Sequence, residues 1–323
     1  MFNSEILNLI LGSHSKMYFY QAYGLGILSA IQLSELKEVA QTKADVVIEF
    51  GQVNRSLMQV NHLGTYLHVT PQEVSFFWNE VGAFSVSNGR EIIIDPLPDV
   101  EDRLLRLPLY GVVFATLMHQ RGLLTLHASA VEIQGGAAVF LGGRGWGKST
   151  LSATLYGRGH HFVSDDLVVV DVKSTRCPMV IPGVPQIKLM PEAAAQALGD
   201  DPQTLPRLAI GYEKRSRLAS DRFCQQPLPL KGIYELAKGP EPKIKLLSPQ
   251  KGFIQLLANA YIARSVNQLL QGVGGSHHLQ QCTNLVNQVS IHRLERPQSL
   301  ELVPTLAALV ETHLTQPTHL TLV

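Results

Sequence analysis

"FLGGRGWGKST", Phe140–Thr150, decides how this 323-residue chain is read. Gly142 to Ser149 fits a glycine, four free positions, then Gly-Lys-Ser. In that pattern glycines let backbone N–H groups close on phosphate oxygens at a helix N-terminus. The lysine reaches the terminal phosphates, and the serine hydroxyl holds a magnesium ion. The apolar "AAVFL" before the loop reads as a strand. "KSTLSATLY" after it reads as a helix that "GRG" stops, which is the context the loop requires. The residues expected around a nucleotide are therefore Gly142, Gly143, Arg144, Gly145, Trp146, Gly147, Lys148, Ser149 and Thr150. Trp146 stands at a free position, where the backbone does the binding. Its side chain is expected to point away and cover a neighbouring loop or helix.

A magnesium nucleotide site also needs a carboxylate. "LVVVD" offers Asp171, and "HHFVSDD" offers Asp165 and Asp166. A strand "HHFVS" returning parallel to the loop strand would end beside the phosphates. A following antiparallel strand would carry Asp171 away by about 3.3 Å per residue. The Asp165–Asp166 pair is favoured. Neighbouring carboxylates at a strand end point differently, so one can face metal while the other takes a proton from an attacking hydroxyl.

Outward from this centre, the order strand, loop, helix, strand belongs to the α/β class. The first hundred residues read as short strands: "YFYQAYGLGIL", "ADVVIEFG", "YLHVT", "VSFFWN", "AFSVSNG" and "EIIIDP", with "SNGRE" as a hairpin turn. A β-rich N-terminal domain over 1–100 and a catalytic domain over 101–323 follow, joined by a helix at 101–121 with Pro108 inside it. "LLTLHASAVEI" reads as one strand. Gly199–Pro229 reads as a long mobile loop, with a basic cluster at Lys214, Arg215 and Arg217. Helices are expected after the Ser248 cap and near the C-terminus. Net charge is +1 with 16% charged residues, which gives no support to nucleic-acid binding. Three dispersed cysteines argue against a disulfide framework or zinc site. The pairs His160–His161 and His277–His278 lack metal-site spacing. The N-terminus carries no secretory pattern, and the run Met17–Ser34 is too short and polar to span a bilayer. A cytoplasmic protein that meets neither membrane nor nucleic acid is expected.

The stretch "LHASAV … FLGGRGWGKSTLSATLYGRGHHFVSDDLVVV" resembles the catalytic core of HPr kinase/phosphorylase-type serine kinases, a phosphate-loop core related to phosphoenolpyruvate carboxykinase. The landmarks are His127 fifteen residues before Gly142, the loop itself, and the double aspartate. The resemblance implies ATP and Mg²⁺ as cofactors, with Lys148 and Ser149 on phosphate and metal. It implies Asp165 as catalytic acid/base, Asp166 as the metal-side carboxylate, and His127 close to the phosphates. Flanking segments, "YQAYGLGILSAIQLSEL" among them, resemble HPr-kinase-like proteins of bacterial peptide and secondary-metabolite clusters, which carry a β-rich N-terminal part. The Glu-x-Arg-Gly signature of the HPr kinases is absent; that region reads "VIPGVPQIKLM", with Lys188 as a candidate positive charge. HPr as substrate and phosphorolysis are therefore not implied.

The expected function is a kinase that moves the γ-phosphoryl group of ATP to a hydroxyl, by resemblance a serine of a peptide or small protein. Homo-oligomers occur among related kinases. The alternatives are a free small-molecule alcohol as acceptor, an ATPase or nucleotide switch acting through a partner, and a non-catalytic nucleotide-binding module.

Overall fold

The computed structural model describes residues 16–61, 64–70, 72–173, 177–270 and 273–315. Residues 1–15, on which the reading of a leader rests, lie outside them. The chain is a mixed α/β structure with two large sheets and one two-stranded sheet. No helix among the described residues is long and apolar enough to cross a membrane.

Residues 18–96 contribute one eight-stranded sheet. Its strands bury alternate side chains on one face, as in Val46 and Ile48, Val74 and Phe76, Phe84 and Val86, Ile92 and Ile94. "YFYQAYGLGIL" is a hairpin rather than one strand. Tyr18–Ala22 and Leu25–Ser29 pair antiparallel around Tyr23 and Gly24, whose φ angles are 53° and 69°. Two left-handed residues give the turn whose twist suits a hairpin. Asn88 and Gly89 form the same kind of turn, with φ of 53° and 63°.

The helix expected over 101–121 is interrupted. It runs as Asp102–Pro108, a π-helical turn Leu109–Val113, and Phe114–Gln120, with Gly111 outside helical geometry (φ −106°, ψ −111°). Proline lacks an N–H and crowds the preceding turn, so the hydrogen-bond ladder re-forms with a wider register. Leu105, Leu109, Val113, Phe114 and Leu117 from these turns share one apolar core with the N-terminal sheet. Leu167, Val169, Val184 and Ile262 from the later part of the chain join the same core.

In the second sheet the loop strand Gly136–Leu141 lies between Ala128–Ile133, antiparallel, and Leu228–Lys238, parallel. "LLTLHASAVEI" is two strands, Leu124–Leu126 and Ala128–Ile133, broken at His127. The first pairs with Val168–Asp171 and the second with His161–Asp165. His161–Asp165 therefore does not pair with the loop strand directly; Ala128–Ile133 lies between them. Two antiparallel steps restore the direction, so the carboxyl ends still share one edge. The stretch expected as a mobile loop over 199–229 holds a strand, Arg215–Leu218, paired with Gln186–Leu189. Helix Pro249–Asn259 carries the expected cap, with Lys251 N–H donating to Ser248 Oγ at 3.4 Å. Helix Val303–Thr315 closes the described chain.

Phe114 is fully buried, 5.6 Å from the Tyr23 ring and 6.2 Å from the Tyr110 ring. Phe114→Ala is expected to cost about 3–5 kcal/mol by urea unfolding. A loss below about 1 kcal/mol would mean that the shared core does not hold the two sheets together.

Candidate functional site

The loop follows the carboxyl end of strand Gly136–Leu141 and opens helix Lys148–Gly157. Gly147, just before the helix, has φ of 81°, and a Cβ there would lie 2.9 Å from the Arg296 guanidinium. Only glycine suits both the left-handed backbone and that close approach. A concave turn of backbone at a helix start, with a basic side chain and a hydroxyl beside it, is a cradle for a polyanion. Its donors, Lys148 and Ser149 with nearby carboxylates, fit a nucleotide phosphate chain and a divalent ion.

Lys148 is 7% exposed, and its ammonium donates to the carbonyls of Gly142 at 2.8 Å and Gly143 at 3.2 Å. Burial pulls it down to about 8, against the upward effect of Asp165 and Asp166; Arg264 and Lys214 lower it further. Two members of the positive surround are thus Lys214, expected from the sequence, and Arg264, which was not. Arg217 is engaged elsewhere, donating to Asp200 at 3.0 Å and lying over the Tyr156 ring.

The register of three strands delivers the acids. Ser129 lies opposite Asp165, and Ala128 opposite Leu141, so His127, Ser129, Asp165 and the loop meet at one sheet edge. Asp165 Oδ1 accepts from Ser149 Oγ at 2.8 Å and from Ser129 Oγ at 2.9 Å. Its Oδ2 accepts from the Lys188 backbone N–H at 3.0 Å. Asp166 turns the other way. Its Oδ1 lies 3.1 Å from His127 Nδ1, and its Oδ2 accepts from Lys188 Nζ at 3.0 Å. Asp166 holds a left-handed φ of 72°, a conformation that costs a non-glycine residue energy and gathers at functional sites.

Burial pushes the Asp166 carboxyl up, but the Lys188 ammonium and His127 outweigh it, leaving the group well below the usual carboxylate range. Lys188 is pulled down by burial and pushed up more strongly by Asp166. The candidate charge from "VIPGVPQIKLM" is therefore a half-buried partner of Asp166. Asp171 serves a turn, accepting from Lys173 N–H at 2.9 Å.

Asn259 pins this edge from outside. Its side-chain oxygen accepts from Gly142 N–H at 3.3 Å, and its carbonyl accepts from His127 N–H at 2.8 Å. Tyr261, two residues on, sets its ring edge-on to His127 with centroids 5.7 Å apart. Ser129 lies on the strand that starts directly after His127, so it is near that residue in sequence as well as in space. Asn259, Tyr261, Arg264 and Arg296 had no local signal.

Trp146 folds back on its own loop, with its indole over Gly143, and packs against the apolar cluster behind the helix. The Arg296 guanidinium donates to the Trp146 carbonyl. A cleft of about 220 Å³ opens on this side, lined by Arg144, Trp146, Lys238, Arg296 and Gln298 among others. The histidine pairs are occupied apart from this site: His160 lies 2.8 Å from Glu311, and His278 lies 3.8 Å from Cys282.

Lys188→Met is expected to move the Asp166 carboxyl up towards its ordinary value, read by carboxyl NMR titration. Asp166 is depressed on folding, so its stabilising contribution is present above its unfolded value of 3.8 and is lost as pH falls below it. That acid-side loss is expected to shrink in the variant, and an unmoved titration would deny the pairing. Lys148 gives a second test. A polyanion beside an ammonium held near 8 raises it again, so ligand binding takes up a proton at about pH 8.5. Affinity for ATP is expected to fall as pH rises through 8 to 9. Calorimetry in buffers of different ionisation enthalpy measures the uptake, and none would place Lys148 away from the phosphates.

No protein-family model matches this sequence, and no curated protein does. Among solved structures the chain is similar to the Hpr(Ser) kinase/phosphatase from Coxiella burnetii. The match covers 58% of this chain and 95% of that one, at 15% identity and a TM-score of 0.32. Likeness at that level carries no functional weight.

Proposed function

We propose that this protein is an ATP-dependent kinase with a phosphate-loop core of the HPr kinase type, transferring the γ-phosphoryl group to a hydroxyl, with a serine of a peptide or small protein as acceptor. The observation that carries the reading is the division of the two carboxylates: Asp165 on the Ser149 hydroxyl, Asp166 on His127. A simple nucleotide-binding loop needs only the first.

Lys148, Ser149 and the backbone of 142–150 hold the phosphates, and the Arg144–Trp146–Arg296 cleft suits the nucleoside end. Mg-ATP, when bound, supplies the transferred group and the metal charge that neutralises it. Three donors fix Asp165 beside Ser149, which favours it for the metal side. Asp166, held well below the ordinary range, is a weak base. Geometry favours His127 as the proton acceptor. Its Nδ1 lies against Asp166, which orients the ring, and the other ring nitrogen would take the acceptor's proton. This division reverses the one the family resemblance implies, with Asp165 as base and Asp166 on metal.

The two divisions separate experimentally. With labelled ATP and a seryl peptide library, Lys148→Ala is expected to abolish ATP binding or turnover. His127→Gln is expected to lower kcat about 10²–10⁴-fold with ATP affinity retained. Asp165→Asn is expected to raise the Mg²⁺ requirement more than it lowers kcat at saturating metal. A normal Mg²⁺ requirement with lost transfer in Asp165→Asn would restore Asp165 as base. Steady phosphate release that needs no acceptor would make the protein an ATPase.

A further inference from the structure

A cavity of about 340 Å³ lies where the N-terminal sheet, the interrupted helix and the segment after Asn259 meet. Phe76 and Trp78 form one wall, Leu107 and Val112 a second, Tyr261 and Ser265 a third. None of its lining residues is charged. Its size falls at the lower end of small-ligand pockets, and an apolar concavity with a few hydroxyls is the usual form of a specific ligand site.

The cavity is joined to the phosphoryl site by one short helical turn, Tyr261–Ser265. Tyr261 and Ser265, one turn apart, face the cavity. Arg264 on the same turn acts on Lys148. The Tyr261 ring has its edge on His127, while its hydroxyl reaches Gly111, where a Cβ would stand 2.9 Å away. One aromatic ring therefore separates the cavity from the imidazole assigned as base. The far wall at this point is the non-helical break of the π-helical turn, a distortion that recurs at functional sites.

We infer that this cavity receives an uncharged aromatic or branched apolar group next to the acceptor hydroxyl, and so selects the acceptor. The inference rests on the kinase reading and adds to it the chemistry of the acceptor's neighbour. Charge complementarity favours this occupant: a charged group would lose its hydration against walls that offer no counter-charge, while a phenyl or isobutyl group buries its area at no such cost. With that group seated, the acceptor reaches past the Tyr261 ring to bring its hydroxyl to His127. In transfer, the hydroxyl oxygen forms its bond to the γ-phosphorus, the bond to the β–γ bridging oxygen breaks, ADP leaves with that electron pair, and the proton passes to His127.

The test is binding, read separately from transfer. Saturation-transfer NMR is run with N-acetyl-seryl-phenylalaninamide, its glycinamide counterpart and phenylpropanol. The proteins are the wild-type chain, Leu107→Lys, which sets a charge in the wall, and Ser265→Phe, which fills the space. Both positions are partly exposed, and ATP binding on the same samples reports folding and the loop. The phenyl ring of the peptide or of the free alcohol is expected to receive saturation in the wild type. The glycinamide peptide is expected to receive less. Affinity is expected to fall about tenfold or more in both variants with ATP binding kept. The arm that binds tells peptide from free alcohol. No ring signal with either phenyl probe, or affinity unchanged in both variants, overturns the inference. Ring signal without ATP binding would leave the cavity standing and remove the kinase reading instead.

Discussion

Three donors from three separate parts of the chain converge on one carboxylate. Ser149 from the loop helix, Ser129 from the hairpin strand and the Lys188 backbone from the two-stranded sheet all donate to Asp165. Asp165 is 9% exposed, and these bonds replace the hydrogen bonds to water that its oxygens give up on burial. The constraint runs in both directions. Asp165 fixes where the loop, the sheet edge and the Gln186–Leu189 strand meet, and their meeting leaves Asp166 facing the opposite way. The left-handed backbone of Asp166 is what that reversal costs.

Around this node the polar groups separate into two sides. One holds Lys148, Ser149 and Asp165 against the loop. The other holds Asp166, His127 and Lys188. Burial would drive Asp166 and Lys188 towards neutrality, and their pairing keeps both ionised. Lys148 has weaker support and is held lower, near 8. A cation only partly compensated by its own protein is suited to meeting a phosphate, whereas Lys188 is already satisfied and acts by positioning Asp166.

The apolar core explains why the N-terminal sheet matters to this site. Phe84, Phe114, Leu167 and Ile262 belong to one buried cluster. The interrupted helix therefore works as part of a core rather than as a tether. Its π-helical turn brings Gly111 against the Tyr261 hydroxyl, so the sheet, the helix and the segment carrying Tyr261 and Arg264 are packed as a unit beside His127.

Much of this was local enough to read from the chain. The loop, its helix, most N-terminal strands and the Ser248 cap follow from short-range rules of glycine geometry, alternation and capping. The nearness of the aspartate pair to the loop was legible too, although the strand between them was not, since direction survives two antiparallel steps and pairing order does not show in composition. The break at His127 and the hairpin at Tyr23–Gly24 were hidden because both interrupt runs that are apolar throughout. Sequence alone determined that a glycine-rich loop stands between a strand and a helix in this chain, followed by two adjacent acids. Only the tertiary structure decided which acid meets Ser149 and which meets His127, and brought Asn259, Tyr261, Arg264 and Arg296 to the site. Strand register and side-chain burial set those contacts, between residues 16 to 39 positions apart for the two acids and more than a hundred apart for the other four.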